Sequence, residues 1–286
     1  MLLYKHDDDY FSRLESRLLI SCPREGSGQA GFYELDLATN SYRHLADCDG
    51  RGLVRWNDHY LGASRNDGIY HFDANLNIVD RHPIPYVDLH GLEIGPDGLL
   101  YAVETAHNRI GVYRMDPFER IDEITVSPAP NDHNHVNDIQ IRDGRLLVSM
   151  FAYHGSWRTN WDNNRFDGAV VEFDLAAKAS KRLLAGSLRM PHTVRLFGDD
   201  LCFCESFNLN VVKNGEILAQ FSGYTRGLAY DGRCYFIGQS RMRHWGKHLE
   251  PHLSVDAGIH ILDSQNRVSR FVPLPSKQVY DIVIVN

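Results

Sequence analysis

The chain has 286 residues, 43% of them hydrophobic, and a formal net charge of −7. That is enough apolar material for a sizeable core, and the length suits a single all-β barrel or propeller as well as two ordinary domains. An acidic balance without any long Lys or Arg run excludes polyanionic partners, both nucleic acid and anionic membrane. The N-terminal MLLYKHDDDYF lacks the basic flank and apolar stretch of a signal peptide. No segment approaches the roughly 18 apolar residues of a membrane helix, so a cytoplasmic protein is expected. Five cysteines lie in or beside strand-like runs and read as reduced core thiols; Cys202 and Cys204, two apart, would share one face of a strand.

In chain order, SRLLISC, GFYELDL and SYRHLA are three short strands with no innermost partner of their own. A hairpin follows, GRGLVRWNDHYLGAS, and then LHGLEIGPDGLLYAVE with the outer strand GVYRMD. HVNDIQIRDGRLLVSM comes next with AVVEFDL, and after it PHTVRLFGDDLCFCES and TRGLAYDGRCYFIGQS. Each hairpin repeats one pattern: a polar residue, a short strand, a turn rich in Asp, Asn or Gly, and a second apolar strand. With an outer pair added, the unit is a four-stranded propeller blade. A sixth copy begins at VYDIVIVN, but only six residues follow Tyr280. The C-terminal strand must therefore complete a blade begun by the N-terminal strands, which also hides both open edges. The expected fold is all-β, one six-bladed β-propeller domain over residues 1–286. Repeat starts at Arg51, His90, Asn137, His192, Arg226 and Tyr280 are spaced 39, 47, 55, 34 and 54 residues apart. The excess length lies in loops 152–168 and 240–258, both candidate lids.

Innermost strands surround the central channel, so equivalent residues form a ring at its mouth. That ring reads Arg51, His90, Asn137, His192, Arg226 and Tyr280, and every member can bond to a ligand. The next position reads Gly52, Gly91, Asp138, Thr193, Gly227 and Asp281, small or acidic throughout. This explains why DHNHVNDIQI carries so much ligand chemistry at a strand start: Asn137 and Asp138 belong to the ring, and His133 or His135 approaches it. The antiparallel second strands end on the same side and bring in Glu104, His154, Glu205 and Arg241. Convergent His90 and His192 with Glu104 or Glu205, and Asn137 as auxiliary ligand, have the composition of a divalent metal site. Arg51, Arg226 and Arg241 suit a carboxylate or phosphate, with His154 beside them.

VNDIQI and LHGLEIGPDGLLYAV resemble inner-strand motifs of the six-bladed calcium-dependent hydrolase superfamily, which includes the paraoxonases and gluconolactonases. MPHTVRL with YTRGLAYDGRCYFIGQSR looks closer to a branch of propellers known only as a domain of unknown function. The resemblance implies that Asn137 and Asp281 bind the metal and that His90 transfers a proton. His192 and Arg226 depart from the superfamily's oxygen ligands. That shifts the expected ion from calcium toward zinc, manganese or iron, which accept imidazole. The expectation is a metal-dependent enzyme on a small anionic or sugar-derived substrate, with a metal set of His192, Asn137, Glu205, His90 and Asp281. His90, His135, Glu104 and Tyr280 would then be its catalytic groups. Lactone or ester hydrolysis is the first reaction expected, with a lyase or isomerase as the alternative; a non-catalytic ligand- or protein-binding propeller is the rival class. No G-x-S-x-G, H-E-x-x-H, Walker or G-x-G-x-x-G motif is present.

Overall fold

A computed structural model describes residues 10–11, 13–26, 28–243 and 256–285. Six four-stranded antiparallel sheets form the blades. The closing blade runs outward from β24 (Asp281–Val285) through β1 (Arg17–Cys22) and β2 (Gly31–Asp36) to β3 (Ser41–Ala46). β24 pairs antiparallel with β1, Ile282 opposite Ile20, so the two ends of the chain share one sheet. The second blade is β4 (Gly50–Trp56), β5 (His59–Ser64), β6 (Gly68–Phe72) and β7 (Ile78–His82). The third is β8 (Leu89–Ile94), β9 (Leu100–Glu104), β10 (Arg109–Met115) and β11 (Phe118–Thr125). The fourth is β12 (Val136–Arg142), β13 (Arg145–Met150), β14 (Gly168–Asp174) and β15 (Ala179–Leu188). β16 (Pro191–Phe197), β17 (Asp200–Glu205), β18 (Asn210–Lys213) and β19 (Glu216–Gln220) make the fifth. The sixth is β20 (Tyr224–Tyr230), β21 (Tyr235–Ser240), β22 (Gly258–Asp263) and β23 (Val268–Pro273). One short helix, α1 (Trp157–Asp162), lies in the 152–168 loop.

Apolar side chains on both faces of the middle strands pack between blades, and each of the six blade interfaces has its own buried cluster. The cluster beside the closing blade joins Leu18, Ile20 and Ile282 to Phe236 and Ile261. All five cysteines are free and buried, Cys202 and Cys204 together in one of these clusters. Among the described residues, no helix is long and apolar enough to cross a membrane.

The inner strands meet around the axis through the position after the ring. A Cβ on Gly52 would stand 2.4 Å from the His90 carbonyl oxygen, and one on Gly91 would stand 2.5 Å from Asp138 Oδ1, so glycine is what lets these blades approach. Elsewhere a side chain latches the next blade. Asp138 accepts the Val194 N–H (3.0 Å), Thr193 the Gly227 N–H (2.9 Å) and Asp281 the Leu53 N–H (3.0 Å). Gly227, at φ +71, lies against the Asp281 backbone and completes the circle. Five inner strands also shift register at the ring, between Gly50 and Leu53, Leu89 and Leu92, Val136 and Asp138, His192 and Val194, and Arg226 and Leu228. Such bulges re-aim the side chains on either side of them.

Candidate functional site

Arg51, His90, His192, Arg226 and Tyr280 line one cavity of about 470 Å³. Asn137 is buried beneath it, its Oδ1 3.3 Å from His90 Nδ1 and its carbonyl oxygen 3.1 Å from the Tyr280 hydroxyl oxygen. The ring expected from the repeats is therefore gathered about one axis. An outer tier of residues two positions before ring members holds it. An Asp49 carboxylate oxygen lies 3.2 Å from Arg51, and Asp88 Oδ1 lies 3.3 Å from His90 Nε2. The Met190 carbonyl accepts from His192 Nδ1 (3.0 Å), and Gln278 Oε1 accepts from Arg226 Nη1 (3.0 Å). In this tier Asp88, His135 and Met190 have φ of +51°, +50° and +55°. Left-handed backbone on residues with a Cβ costs about 1–3 kcal/mol each, and such strain concentrates at functional sites.

Protonation follows from these partners. A carbonyl can only accept, so His192 carries its proton on Nδ1, toward Met190 and the Ser206 hydroxyl (2.7 Å), whose own hydrogen goes to the Thr225 carbonyl. That leaves Nε2 with a lone pair on the cavity side. Burial, reinforced by Arg226, holds the His192 pKa well below its ordinary value, so the ring is neutral. His90 donates from Nε2 to Asp88, and its Nδ1 lies 2.9 Å from the Tyr280 hydroxyl. Burial pushes His90 down to about 4 in spite of Asp88. Burial also acts on the Asp88 carboxyl, yet His90 and Arg65 hold it far below the usual carboxylate range. Tyr280 is pushed well above 10 by burial, with Arg51 and Arg226 opposing the rise, so it keeps its proton. Burial, Arg243 and Arg51 push the Arg226 guanidinium down to about 9. On the opposite wall Phe151, Trp157 and Trp161 face the cavity, and His135 lies between Phe151 and Trp157, tilted to both, with ring centroids at 4.4 and 4.8 Å.

A family model described as Domain of unknown function (DUF4915) matches residues 80–286. The chain belongs to the DUF4915 family. None of the curated proteins matches its sequence. Among solved structures, this DUF4915 chain is similar to a protein of unknown function from Bacteroides caccae, at 13% identity and TM-score 0.62 over 95% of this chain and 99% of that one. It is also similar to a putative gluconolactonase, at 14% identity and TM-score 0.61 over 91% and 88% of the two chains. A luciferin-regenerating enzyme matches at 14% identity and TM-score 0.59 over 81% and 78%. At such identities the likeness concerns the DUF4915 fold.

Several residues singled out in the DUF4915 sequence lie elsewhere. Glu104 is fully buried within its blade, where it accepts from Arg109 (2.5 Å), Tyr113 (2.5 Å) and Arg120 (3.0 Å) above Gly111. Its neighbours make it a structural ion-pair centre, away from the cavity. Glu205 accepts the Arg189 N–H at 2.9 Å. His154 is exposed and pairs with Asp167, while Arg241 pairs with Asp256 outside the cavity. Asp281 lies one layer below the ring, held 3.2 Å from Arg195, which also bonds Asp138 at 2.5 Å. The five expected metal donors are thus not brought to one point. Among the described residues, no three His, Cys, Asp or Glu side chains are placed to hold an ion. The cavity is also rich in guanidinium groups, which repel a divalent cation, and His192 Nε2 alone among the expected donors is left free toward it, so the donor set does not fit one. Of the two candidate lids, the 152–168 loop contributes Trp157, Arg158 and Trp161 to the wall. The other falls largely on residues 244–255, outside the described residues.

Sequence reasoning named His135 of the outer tier, which lines the cavity, but missed Asp49, Asp88, Met190 and Gln278, and missed Arg195 and Arg243. The outer tier had a signal, since Asp49, Asp88 and Gln278 each precede a ring residue by two.

Proposed function

We propose that the cavity is the active site of an enzyme that moves protons on a small acidic molecule, with His192 as base and Tyr280 as acid. The carrying observation is the neutral His192, fixed through Nδ1 and presenting Nε2 to the cavity beside Arg226. His90 and Asp88 are positioning residues that orient the Tyr280 hydroxyl. Arginines hold a substrate carboxylate, and when His192 removes the adjacent C–H proton they stabilise the second negative charge that develops there. Elimination or isomerisation of a hydroxy or sugar acid needs these parts and no metal. Lactone or ester hydrolysis is a second reading, with His192 activating water; the name of the putative gluconolactonase neighbour is what favours it. Five buried free thiols fit a cytoplasmic setting.

The test is proton exchange. A panel of small hydroxy and sugar acids is incubated with the protein in D2O, and loss of the α-proton signal is followed by NMR, with and without a chelator. A parallel panel of lactones is followed by acid release. Chelator-resistant exchange that disappears in His192→Ala supports the proposal. Exchange undiminished in that variant sinks it, and acid release without exchange selects hydrolysis.

A further inference from the structure

Six guanidinium groups line the cavity, and four of them have a carboxylate. Arg24 pairs with Asp47 (2.6 Å), Arg51 with Asp49 (3.2 Å), Arg65 with Asp88 (2.7 Å) and Arg158 with Asp132 (2.9 Å). Arg226 and Arg243 have no ion-pair partner among the described residues; Glu25 attracts Arg243 from a distance but makes no ion pair with it. Arg226 meets only the neutral Gln278, whose own Nε2 donates to Glu25 at 2.5 Å, so an amide stands between that carboxylate and the guanidinium. Among the described residues, Asp162 is the one lining carboxylate outside an ion pair, but it is exposed on α1 and screened by water. The Nε atoms of Arg51, Arg226 and Arg243 are all buried and lack an acceptor among the described residues. Buried donors of this kind are almost always satisfied, so three in one cavity point to an acceptor brought by a ligand.

Resting on the reading of this cavity as a substrate site, we propose that the substrate is a dianion. Its two negative charges, on a phosphate monoester or a dicarboxylate, neutralise Arg226 and Arg243, and its oxygens take the free Nε–H groups of Arg51, Arg226 and Arg243. A dianion matches the two cations that lack an ion-pair partner among the described residues; a monocarboxylate would leave one of them buried without one. Both candidate groups offer the several oxygen acceptors that forked guanidinium donors require.

Calorimetric titration of the full chain at pH 8 and constant ionic strength, with inorganic phosphate, malonate and acetate as probes, tests this. Phosphate or malonate is expected to bind at least tenfold more tightly than acetate, and the tighter of the two identifies the source of the charge. Arg226→Met and Arg243→Met should each lose most of that preference, with folding checked by thermal melting. A preference of less than tenfold over acetate overturns the inference, with or without the variants, as does a folded Arg226→Met that keeps the wild-type preference. His192→Ala separates this from the proposed reaction, because it should bind the dianion normally while losing proton exchange. Dianion selectivity without exchange on any panel member would leave the inference standing and remove the proposed chemistry; exchange without selectivity would do the reverse.

Discussion

Replacing Arg226 by methionine should make the ligand-free protein more stable. The side chain is 5% exposed, and its surroundings push the guanidinium from 12.5 down to about 9. At 1.36 kcal/mol per pKa unit, keeping it charged below pH 9 costs the fold roughly 5 kcal/mol. The sign follows from a basic group whose pKa falls on folding: the penalty is present in full at neutral pH and fades only above pH 9. Methionine fills a similar length without charge, but it leaves Gln278 Oε1 without its donor, a loss of about 1.5–3 kcal/mol. The net gain is ~2–3 kcal/mol. For a chain of this size that raises Tm by roughly 3–5 °C. Differential scanning calorimetry at pH 7 in buffer free of phosphate and carboxylate measures it directly. If Arg226→Met melts at or below the wild type there, the guanidinium is compensated in the free protein and the reasoning about buried charge is wrong. Added dianion should then reverse the order, raising the wild type and leaving the variant unmoved.

Glu104→Gln should cost about 3–5 kcal/mol in denaturant unfolding, because Arg109 and Arg120 lose a buried partner; turnover of the folded fraction should be unchanged, and a selective loss of kcat would return Glu104 to the catalytic list. Because burial holds His192 well below its ordinary value, kcat/KM for a non-titrating substrate should stay flat from pH 8 down to pH 5.5; an acid limb near pH 6.5 that vanishes in His192→Ala would contradict the neutral assignment. Burial pushes Glu93 from 4.5 up to about 7. As a raised acid it weakens the fold above pH 7 and ceases to do so as pH falls toward 4.5, so Glu93→Gln should stabilise at pH 8 by about 1–2 kcal/mol and have no effect near pH 4.5. Urea midpoints at the two pH values decide it, and an equal gain at both would exclude titration as the cause.

The ring was legible because it depends on two things a sequence displays: a repeated hairpin, and the start of the first strand in each repeat. Arg51, His90, His192, Arg226 and Tyr280 are remote along the chain, yet equivalence of position places them on one cavity. The same logic failed one strand further out. Only the first strand of a blade borders the channel; side chains of the second alternate between the faces that meet neighbouring blades. Glu104, at the end of β9, therefore lies over Gly111 and among Arg109, Arg120 and Tyr113. Arg195 was hidden for a different reason. Simple alternation from His192 does not place it with Asp138 and Asp281; the register shift between His192 and Val194 does. Asp281 looked like a metal ligand only while that cation was out of view.

Several energetically unfavourable features of the molecule meet at the channel mouth. Two guanidiniums without an ion-pair partner and three Nε atoms without an acceptor among the described residues, and the left-handed residues Asp88, His135 and Met190, belong to the channel mouth, whereas each of the six blade interfaces holds a buried apolar cluster. A closed ring tolerates this because no blade can separate without opening the interfaces on both of its sides, and closure by β24 on β1 leaves no blade with a free flank. The interfaces therefore stabilise a mouth that would be unfavourable in isolation, and its strain and charge persist until a ligand relieves them. Stabilising substitutions should accordingly be easy to find at Arg226 and Arg243 and scarce between the blades, and those at the mouth should weaken binding.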